Sequence, residues 1–511
     1  MSIIKQTLKN TMSGWISIII RSILSLITIP LLLKSVGSDG FGLITILGTI
    51  VGLSVIIDLG LRSALGRTLS EQVALGNKKA FTEIITTALL LYILISLLFS
   101  GILYFSAPFI VSILNIPDNL NYTAISLIRL YGILGVLISF IIPVFSAALQ
   151  SHHRFDICNK IQTTISILSS SILIIMIKNL NFEIIDWVII TLIFQLVNLI
   201  LLFVFFRKQC EGIEISKKHI NFKRIYPLFK LGGYMYIIQL SGTISDQSNP
   251  LIISSFSGVK AVGIYQPALN ISQAFTPIVM TLTSQLYPIV TKYHVENNKN
   301  GINNVFNLGA KYTLLLGILV SVGVFFFAEP FAKLWLYSSI GDNYLIAAKL
   351  MQLFAIADLL SYSSGTQWPI LLGMNKLKYL TIVLVSTAIL NIGISIYLVG
   401  FTDFGVYGVL YGTIISKIIR VVLLNNHIFK LLNISFIEHF KLCILGPLLC
   451  LILLGLSTWF IVLNFSCETW IELFYLSGIT CIIWIFFIWL IGLNANERNM
   501  ISKGKFKSLL K

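Results

Sequence analysis

The sequence predicts an all-α protein that crosses a membrane about fourteen times. Of the 511 residues, 56% are hydrophobic and only 11% are charged, whereas a soluble globular protein carries about 25% charged residues. Apolar runs of about 20 residues, the length that a helix needs to span a bilayer, also recur along the whole chain. A soluble fold is excluded because this chain has too few polar residues to cover its own surface.

The apolar runs define the predicted transmembrane helices in order. Each run contains roughly 20 mostly apolar residues and is bounded by short polar or basic segments. The predicted spans are 13–34, 41–62, 83–106, 123–149, 161–178, 184–206, 231–257, 262–290, 306–328, 345–372, 379–399, 405–426, 441–463 and 470–492.

Lysine and arginine predict the orientation of these spans. If the N-terminus lies in the cytoplasm, 26 of the 36 Lys and Arg residues fall in cytoplasmic segments and 4 in outer segments. Short cytoplasmic loops normally carry such an excess of positive charge. Both termini are therefore expected on the cytoplasmic side, and the net charge of +16 is expected to face anionic lipid rather than nucleic acid.

The chain also contains an internal repeat. Residues 30–43 read PLLLKSVGSDGFGL, and residues 250–264 read PLIISSFSGVKAVGI. Each segment joins two consecutive spans, and each carries a Gly-x4-Gly motif, Gly37 with Gly42 in the first and Gly258 with Gly263 in the second. The sequence offset between the two motifs also relates Asn77 to Asn298 in the next cytoplasmic loops.

A third match supports the same organisation, because nearly the same offset relates Arg154 to Lys376. Matches at equivalent positions of the topology predict two parallel six-helix repeats followed by a trailing pair of helices. The predicted domains are an N-terminal six-helix bundle at 1–206, a cytoplasmic linker at 207–230, a C-terminal six-helix bundle at 231–426, and two further transmembrane helices with a basic cytoplasmic tail at 427–511.

Residues 58–71, DLGLRSALGRTLSE, leave the second span. Together with the 6+6+2 arrangement and the two Gly-x4-Gly hairpins, this segment resembles the oligosaccharide-lipid flippases. These include the O-antigen unit flippases of the multidrug/oligosaccharidyl-lipid/polysaccharide exporter superfamily. The resemblance covers essentially the whole chain and implies a V-shaped transporter with two lobes around a central cavity.

The same resemblance implies a function. A polyprenyl-diphosphate-linked oligosaccharide, such as an O-antigen or similar surface-polysaccharide repeat unit, would move by alternating access from the cytoplasmic to the periplasmic leaflet of the bacterial inner membrane. Membrane lipid and other polysaccharide-assembly proteins would be its partners.

Polar and charged residues within the spans are candidate cavity residues. A charge at mid-bilayer costs at least about 2.5–3.5 kcal/mol, so it normally faces a bundle interior or a water-filled cavity. Arginine suits a lipid diphosphate because it stays charged and its planar fork matches phosphate oxygens. The candidate substrate or cavity residues are Arg21, Asp58, Arg62, Arg129, Asp246, Asp358, Gln239 and Gln247.

Some of these charges also have a structural interpretation. Arg62 and Arg129 are close enough to span ends to reach the membrane interface. Asp58 precedes Arg62 by one helical turn and is therefore also placed to neutralise it. Three further in-span cations are expected to reach the interface with their long side chains. They are Lys349, Lys417 and Arg420.

The two repeats differ in the sign of their in-span charges. The first repeat carries mainly arginines, and the second carries Asp246 and Asp358. This distribution predicts that the lobes attract when empty and that an anionic substrate competes for the arginines. The two carboxylates are alternatively proton or cation sites, because burial favours the protonated form of a carboxyl group, or structural partners of an arginine.

Prolines within the spans are candidate kinks at which a gate bends. Proline removes a backbone donor and breaks the helical hydrogen bond to the residue four positions earlier. Span eight also contains Pro288, so it is the main candidate for a bending helix, with a fixed kink as the alternative. The gate or kink candidates are Pro30, Pro250, Pro267 and Pro277.

Other classes of protein fit less well. The sequence has neither a Gly-x4-Gly-Lys-Ser/Thr string nor a CxxC pair, so neither an ATP-hydrolysing domain, a metal site nor a cofactor is expected. A membrane-embedded sugar polymerase is disfavoured because the longest outer segments are short and contain no histidine. The remaining alternatives are a peptidoglycan lipid-precursor flippase and a cation-coupled multidrug antiporter of the same superfamily.

Overall fold

A computed structural model describes residues 3–53, 61–210, 212–224 and 233–502. Within these residues the chain is almost entirely helical and contains no strand. The helices of its first half are α1 (Ile3–Leu53), α2 (Leu61–Ala74), α3 (Lys78–Ile113), α4 (Asp118–Ser151), α5 (Phe155–Asn179), α6 (Ile184–Gln209), α7 (Gly233–Ser257) and α8 (Val259–Ser284). The others are α9 (Leu286–Val295), α10 (Lys299–Ile340), α11 (Tyr344–Ser363), α12 (Gln367–Gly373), α13 (Leu377–Gly400), α14 (Gly408–Leu432), α15 (Phe436–His439), α16 (Leu445–Asn464), α17 (Trp470–Phe487) and α18 (Ala495–Ser502).

Each predicted span is matched by helical structure among the described residues. Ten stretches of these residues are long and apolar enough to cross a membrane. One of the ten, Lys299–Gly373, contains two predicted spans, and another, Met12–Leu53, contains the first predicted span and the beginning of the second. α7 and α8, whose apolar residues are interspersed with Gln, Asn and Ser, are not among the ten. The predicted fold class, an all-α multi-pass membrane protein, is confirmed.

The internal repeat is visible in the backbone where α3 and α10 begin. Asn77 caps α3 with φ −87° and ψ 80°, and Asn298 caps α10 with φ −86° and ψ 81°. The Asn77 side chain accepts a hydrogen bond from the N–H of Ala80 at 3.0 Å, and the Asn298 side chain accepts one from Gly301 at 2.9 Å. Each side chain thus satisfies a backbone donor at a helix start.

A second pair of helix starts repeats in the same way. Arg154 precedes α5 with φ −97° and ψ 45°, and Lys376 precedes α13 with φ −98° and ψ 48°. The residues before them, His153 and Asn375, adopt left-handed φ values of 59° and 55°. The repeat predicted from the sequence offsets is therefore present in the three-dimensional structure.

Packing divides the chain into two compact units, Met1–Gln266 and Pro267–Lys511. The boundary falls within α8. By sequence, α7 and the beginning of α8 belong to the second repeat, but they pack in the first unit. The compact units therefore divide the chain at a different place from the predicted repeats, and the predicted linker at 207–230 lies inside the first unit. The predicted domain bounds stay a prediction.

In the first unit, the described part of this linker packs back against α3. The Arg224 guanidinium lies 3.1 Å from a carboxylate oxygen of Glu83. Asn221 donates to the same carboxylate at 3.2 Å, and its backbone N–H donates to Thr87 Oγ1 at 2.8 Å. The linker is therefore held against the first unit by charge-assisted hydrogen bonds.

The second unit contains the trailing helices α16 and α17, which pack against α10. Ile318 and Val322 of α10 form a buried cluster with Leu454 of α16. Beyond the last span, α18 brings Glu497 to 2.6 Å from Lys311 Nζ on α10, with the two side chains 7% and 4% exposed. A buried ion pair thus ties the end of the chain to the bundle.

Candidate functional site

Asp358 of α11 lies at the centre of a polar cluster in the second unit. One carboxylate oxygen accepts a hydrogen bond from Ser272 at 2.5 Å. The other lies 3.6 Å from the ammonium group of Lys417 on α14, which also donates to the carbonyl of Ala357 at 3.1 Å. Asp358 is buried and Lys417 is partly buried. Because the two groups lie 3.6 Å apart, each charge is compensated by the other within the unit.

This arrangement corrects the sequence interpretation of Lys417. The side chain was expected to reach the membrane interface, but it points to Asp358 instead. Arg420, one turn further along α14, donates to Thr387 Oγ1 at 3.3 Å. Lys417 neutralises Asp358 within the second repeat. Asp358 is therefore not an uncompensated anion, and it does not support the expected attraction to the arginines of the first repeat.

A small cavity adjoins Asp358. Its volume is about 10 Å³, which is close to the minimum that holds one water molecule. Ser272, Ser321 and Tyr362 contribute hydroxyl groups to its lining. The hydroxyl of Ser321 is buried without a hydrogen-bond partner among the described residues, so a water molecule in this cavity would satisfy it.

Replacing Asp358 by Asn is expected to destabilise the second unit by about 2–3 kcal/mol, because Lys417 would remain partly buried without its counter-charge. The double variant Asp358→Asn/Lys417→Met should recover most of this loss, and Asp342→Asn, at an exposed aspartate, should have little effect. Thermal unfolding in detergent measures all three. An Asp358→Asn protein as stable as the wild type would contradict the pairing.

Arg21 lies in the first unit on α1 and is half-buried. Its Nε–H donates to the carbonyl of Ser17, one turn earlier, at 3.2 Å. This bond directs the base of the guanidinium along the helix towards the N-terminal end. The Ser17 side chain is itself buried, and its hydroxyl has no partner among the described residues. The role of Arg21 in substrate binding stays a prediction.

Arg129 of α4 packs against Tyr104 of α3. Its guanidinium carbon lies 4.7 Å from the centre of the tyrosine ring, and its Nε–H donates to the carbonyl of Tyr104 at 3.3 Å. A cation over an aromatic face is a favourable contact. This geometry supports the structural interpretation of Arg129, and its substrate role stays a prediction.

Two polar residues of α7 pack within the first unit. Gln247 lies against α1, where a Cβ added to Gly52 would approach its side chain to 3.1 Å. Asn249 is buried and donates to the hydroxyl of Tyr265 at 3.3 Å. Gln247 thus fills a space that a glycine opens, and Asn249 joins α7 to α8.

A different face of α7 is polar and exposed. Gln239, Gly242 and Asp246 are separated by three and four residues, so they lie on one side of the helix, and all three are exposed. Pro250 lacks the N–H that would bond to the carbonyl of Asp246 four residues earlier. A carboxylate and an amide are therefore presented together by a helix that the sequence predicts to cross the membrane.

Two predicted residues lie in a part of the chain that is not fully described. Asp58 is outside the described residues. Arg62 lies in α2, but its side chain is outside the description. The proposed pairing of these two charges stays a prediction.

The predicted kink prolines all lie inside helices. Pro30 is in α1, Pro250 in α7, and Pro267 and Pro277 in α8. The non-helical residue within α1 is Gly37. Predicted span eight is divided after Ser284, consistent with the missing donor of Pro288 four residues later. A gating role for the four prolines stays a prediction.

The structure gives several predicted residues partners that the sequence analysis did not pair with them. It brings Asp358 to Lys417, Arg129 to Tyr104, and Gln247 to Gly52. The signal for Lys417 was present as an in-span cation in the same repeat as an in-span carboxylate. That signal was not decisive because the two residues are far apart in the sequence and lie on different helices.

Comparison with known proteins identifies the family. The model of the family described as Polysaccharide biosynthesis protein matches residues 7–294, more than half of the chain. The chain belongs to this family. Among its relatives is EpsK of Bacillus subtilis (strain 168), named as an uncharacterized membrane protein, with 24% identity over 81% of this chain and 80% of EpsK.

A second relative comes from Shigella flexneri and is provisionally named an O-antigen transporter. It is 25% identical over 66% of this chain and 78% of its own length. Among solved structures, the lipid II flippase MurJ in an inward closed conformation aligns with a TM-score of 0.69 at 16% identity, covering 98% of this chain and 99% of MurJ. The fold predicted from spans and repeats is therefore that of a known membrane transporter.

Proposed function

We propose that this protein flips a polyprenyl-diphosphate-linked oligosaccharide, an O-antigen or similar surface-polysaccharide repeat unit, between membrane leaflets by alternating access. The observation that carries the proposal is the family match across residues 7–294. The relative from Shigella flexneri is named for O-antigen transport, and MurJ is named for flipping a lipid. A lipid-linked glycan combines these two properties.

The chemistry of the substrate fits residues of the first unit. A lipid diphosphate that leaves bulk water needs cationic partners, and the guanidinium of Arg21 offers a permanent charge and a planar set of donors. The exposed face of α7 with Gln239 and Asp246 offers hydrogen-bonding groups for sugar hydroxyls. A carboxylate within a membrane-crossing helix is expected to face water or polar groups rather than hydrocarbon.

The proposed direction of transport is outward from the cytoplasm. The distribution of Lys and Arg supports a cytoplasmic location for both termini, with the protein in the bacterial inner membrane. A diphosphate with two negative charges would gain about 4.6 kcal/mol per 100 mV when it moves outward from a negative interior. The membrane potential is therefore the proposed source of work, and antiport of a cation is the alternative.

Gene deletion followed by complementation is the experiment that tests this function. Loss of the protein is expected to abolish surface polysaccharide and to accumulate lipid-linked oligosaccharide in the inner leaflet, and the wild-type gene should reverse both effects. Lysis from a defective cell wall would instead indicate a peptidoglycan precursor as substrate. Sensitivity to drugs with normal surface polysaccharide would indicate a multidrug antiporter.

A further inference from the structure

A cavity of about 260 Å³ lies within the first unit, away from the in-span charges of the candidate site. Its walls come from the end of α2, the start of α3, the residue that follows α4, the end of α6 and the beginning of the predicted linker. All of these positions belong to segments that the distribution of Lys and Arg predicts to be cytoplasmic. The proposed transport function uses none of the residues that line this cavity.

The volume of the cavity limits the size of its ligand. Pockets for drug-sized molecules measure roughly 300–1,000 Å³, whereas a single ordered water needs only about 10–15 Å³. A volume of about 260 Å³ therefore suits a small metabolite. Val73, Phe81 and Ile213 give the lining an apolar part, and the last two of these side chains are buried. The rest of the lining is mainly polar.

Lys78, the first residue of α3, is the charged residue in the lining, and no carboxylate lines the described part of the cavity. The ion pairs described in the first unit involve other cations. A Cβ added to Gly212 would lie 3.6 Å from the Lys78 ammonium nitrogen, so the ammonium group reaches from α3 to the linker. The positive end of the α3 dipole lies at the same wall. The electrostatics of the cavity therefore favour an anion.

Two neutral side chains in the lining have part of their hydrogen-bonding capacity committed. Gln209 accepts a hydrogen bond from Arg154 through its side-chain oxygen, which leaves its amide N–H groups as donors. The Ser151 hydroxyl donates to the carbonyl of Ala148 at 2.7 Å. His152 Nδ1 lies 3.1 Å from the same oxygen and therefore carries the proton of that contact. In neutral His152 the other ring nitrogen, Nε2, is then an acceptor.

We propose that this cavity binds the phosphate group of a small phosphate ester, with the phosphate at Lys78. Ammonium and amide N–H groups are the donors that a phosphate requires, and a charged donor strengthens each bond. The acceptor on His152 suits a hydroxyl group in the body of the ester, and the apolar part of the lining suits its carbon atoms. The ester is either a soluble molecule, such as a sugar phosphate, or the headgroup of a phospholipid.

A ligand in this cavity would contact the α2–α3 turn, the ends of α4 and α6, and the linker at the same time. Because it would bind only the folded arrangement of these elements, its occupancy would stabilise the first unit. The cytoplasm would thereby act on the protein through a molecule other than the transported substrate. This inference goes beyond the proposed function and does not depend on it.

Calorimetric titration of the full-length protein in phosphatidylcholine nanodiscs tests the site. Glucose 1-phosphate should bind saturably, inorganic phosphate should compete with it, and glucose without phosphate should not bind. Lys78→Met should weaken the binding of glucose 1-phosphate about tenfold or more, because a charge-assisted contact is lost. Lys78→Arg should change it less than about threefold. Lys79→Met, at the adjacent lysine outside the lining, should leave it unchanged.

A second variant tests the cavity itself. Val73→Phe adds volume to the lining without changing a charge, so it should abolish the binding of glucose 1-phosphate while Lys78 is retained. The melting temperature of each variant, measured without ligand, shows that the protein is folded. Wild-type affinity in a folded Val73→Phe protein would place any bound ester elsewhere and would overturn the proposal.

Nanodiscs that contain phosphatidylglycerol distinguish the two sources of the phosphate. If the headgroup is the ligand, this lipid should raise the melting temperature of the wild type and of Lys79→Met, but not that of Lys78→Met, and it should compete with glucose 1-phosphate. A soluble ligand is indicated if glucose 1-phosphate binds equally in both lipids. The site is rejected if neither ester affects the wild type, or if Lys78→Met and Lys79→Met respond alike.

Discussion

Replacing Lys311 by Met is expected to destabilise the second unit by about 3–5 kcal/mol, because Glu497 would remain as a buried carboxylate without a counter-charge. The distance of 2.6 Å and the low exposure of both side chains make this the tightest buried ion pair described in the protein. Glu497 also accepts a hydrogen bond from the backbone N–H of Asn494 at 2.6 Å, so the start of α18 depends on the same carboxylate. The melting temperature in detergent should fall on the order of 10 °C.

Two further variants show whether the pair itself is responsible. The double variant Lys311→Met/Glu497→Met removes both charges and should recover most of the stability, because replacing a buried pair by apolar residues is often neutral. Lys292→Met breaks an exposed pair with Glu296 at 3.9 Å and should change stability little. Equal melting temperatures for Lys311→Met and Lys292→Met would show that the buried pair contributes no more to stability than the exposed pair does.

The same ion pair illustrates what the sequence could not predict. Lys311 lies near the start of the predicted span 306–328, and Glu497 lies beyond the last predicted span, in the segment predicted as a basic tail. Their contact depends on how the trailing helices pack against α10, which hydropathy does not encode. Composition determines that a segment enters the membrane, but not which face of it meets which neighbour.

The elements that were predicted correctly have a local physical cause. Spans follow from length and hydropathy, and the repeat follows from residues such as Asn77 and Asn298, whose side chains cap their own helices. In contrast, α2 was missed as a separate helix because its sequence, LRSALGRTLSEQVA, is too polar to be recognised as a span. Its helical structure continues beyond the predicted end of span two at residue 62.

The candidate site was predicted by residue type but not by partner. Asp358 was singled out because an in-span carboxylate is costly, and the structure shows that Lys417 compensates that cost. Arg129 was given both a substrate role and a structural one, and its contact with Tyr104 agrees with the structural role. Both partners were missed because each lies on a different helix, several turns or more away along the chain, and no short-range pattern links the two members of a pair.

Arg21→Ala is expected to reduce transport of a lipid-linked oligosaccharide by about 100-fold or more, since a charge-assisted contact to phosphate is lost together with the charge. Arg21→Lys keeps the charge but loses the planar fork, and should reduce transport by only about tenfold. The measurement is transfer of a fluorescent polyprenyl-diphosphate-linked sugar across proteoliposomes, followed by quenching with a membrane-impermeant reductant.

Arg129 is an in-span arginine of the same unit whose guanidinium packs on Tyr104, so comparing it with Arg21 decides between its structural interpretation and its predicted substrate role. If Arg129 is structural, Arg129→Ala should lower the melting temperature and leave transport per folded molecule nearly unchanged. Arg21→Ala should instead lower transport and leave the melting temperature nearly unchanged. This contrast separates a cation that contacts substrate from one that joins two helices. Full transport by both Arg21 variants would reject substrate contact at Arg21, and the proposed diphosphate would then require a different cationic partner.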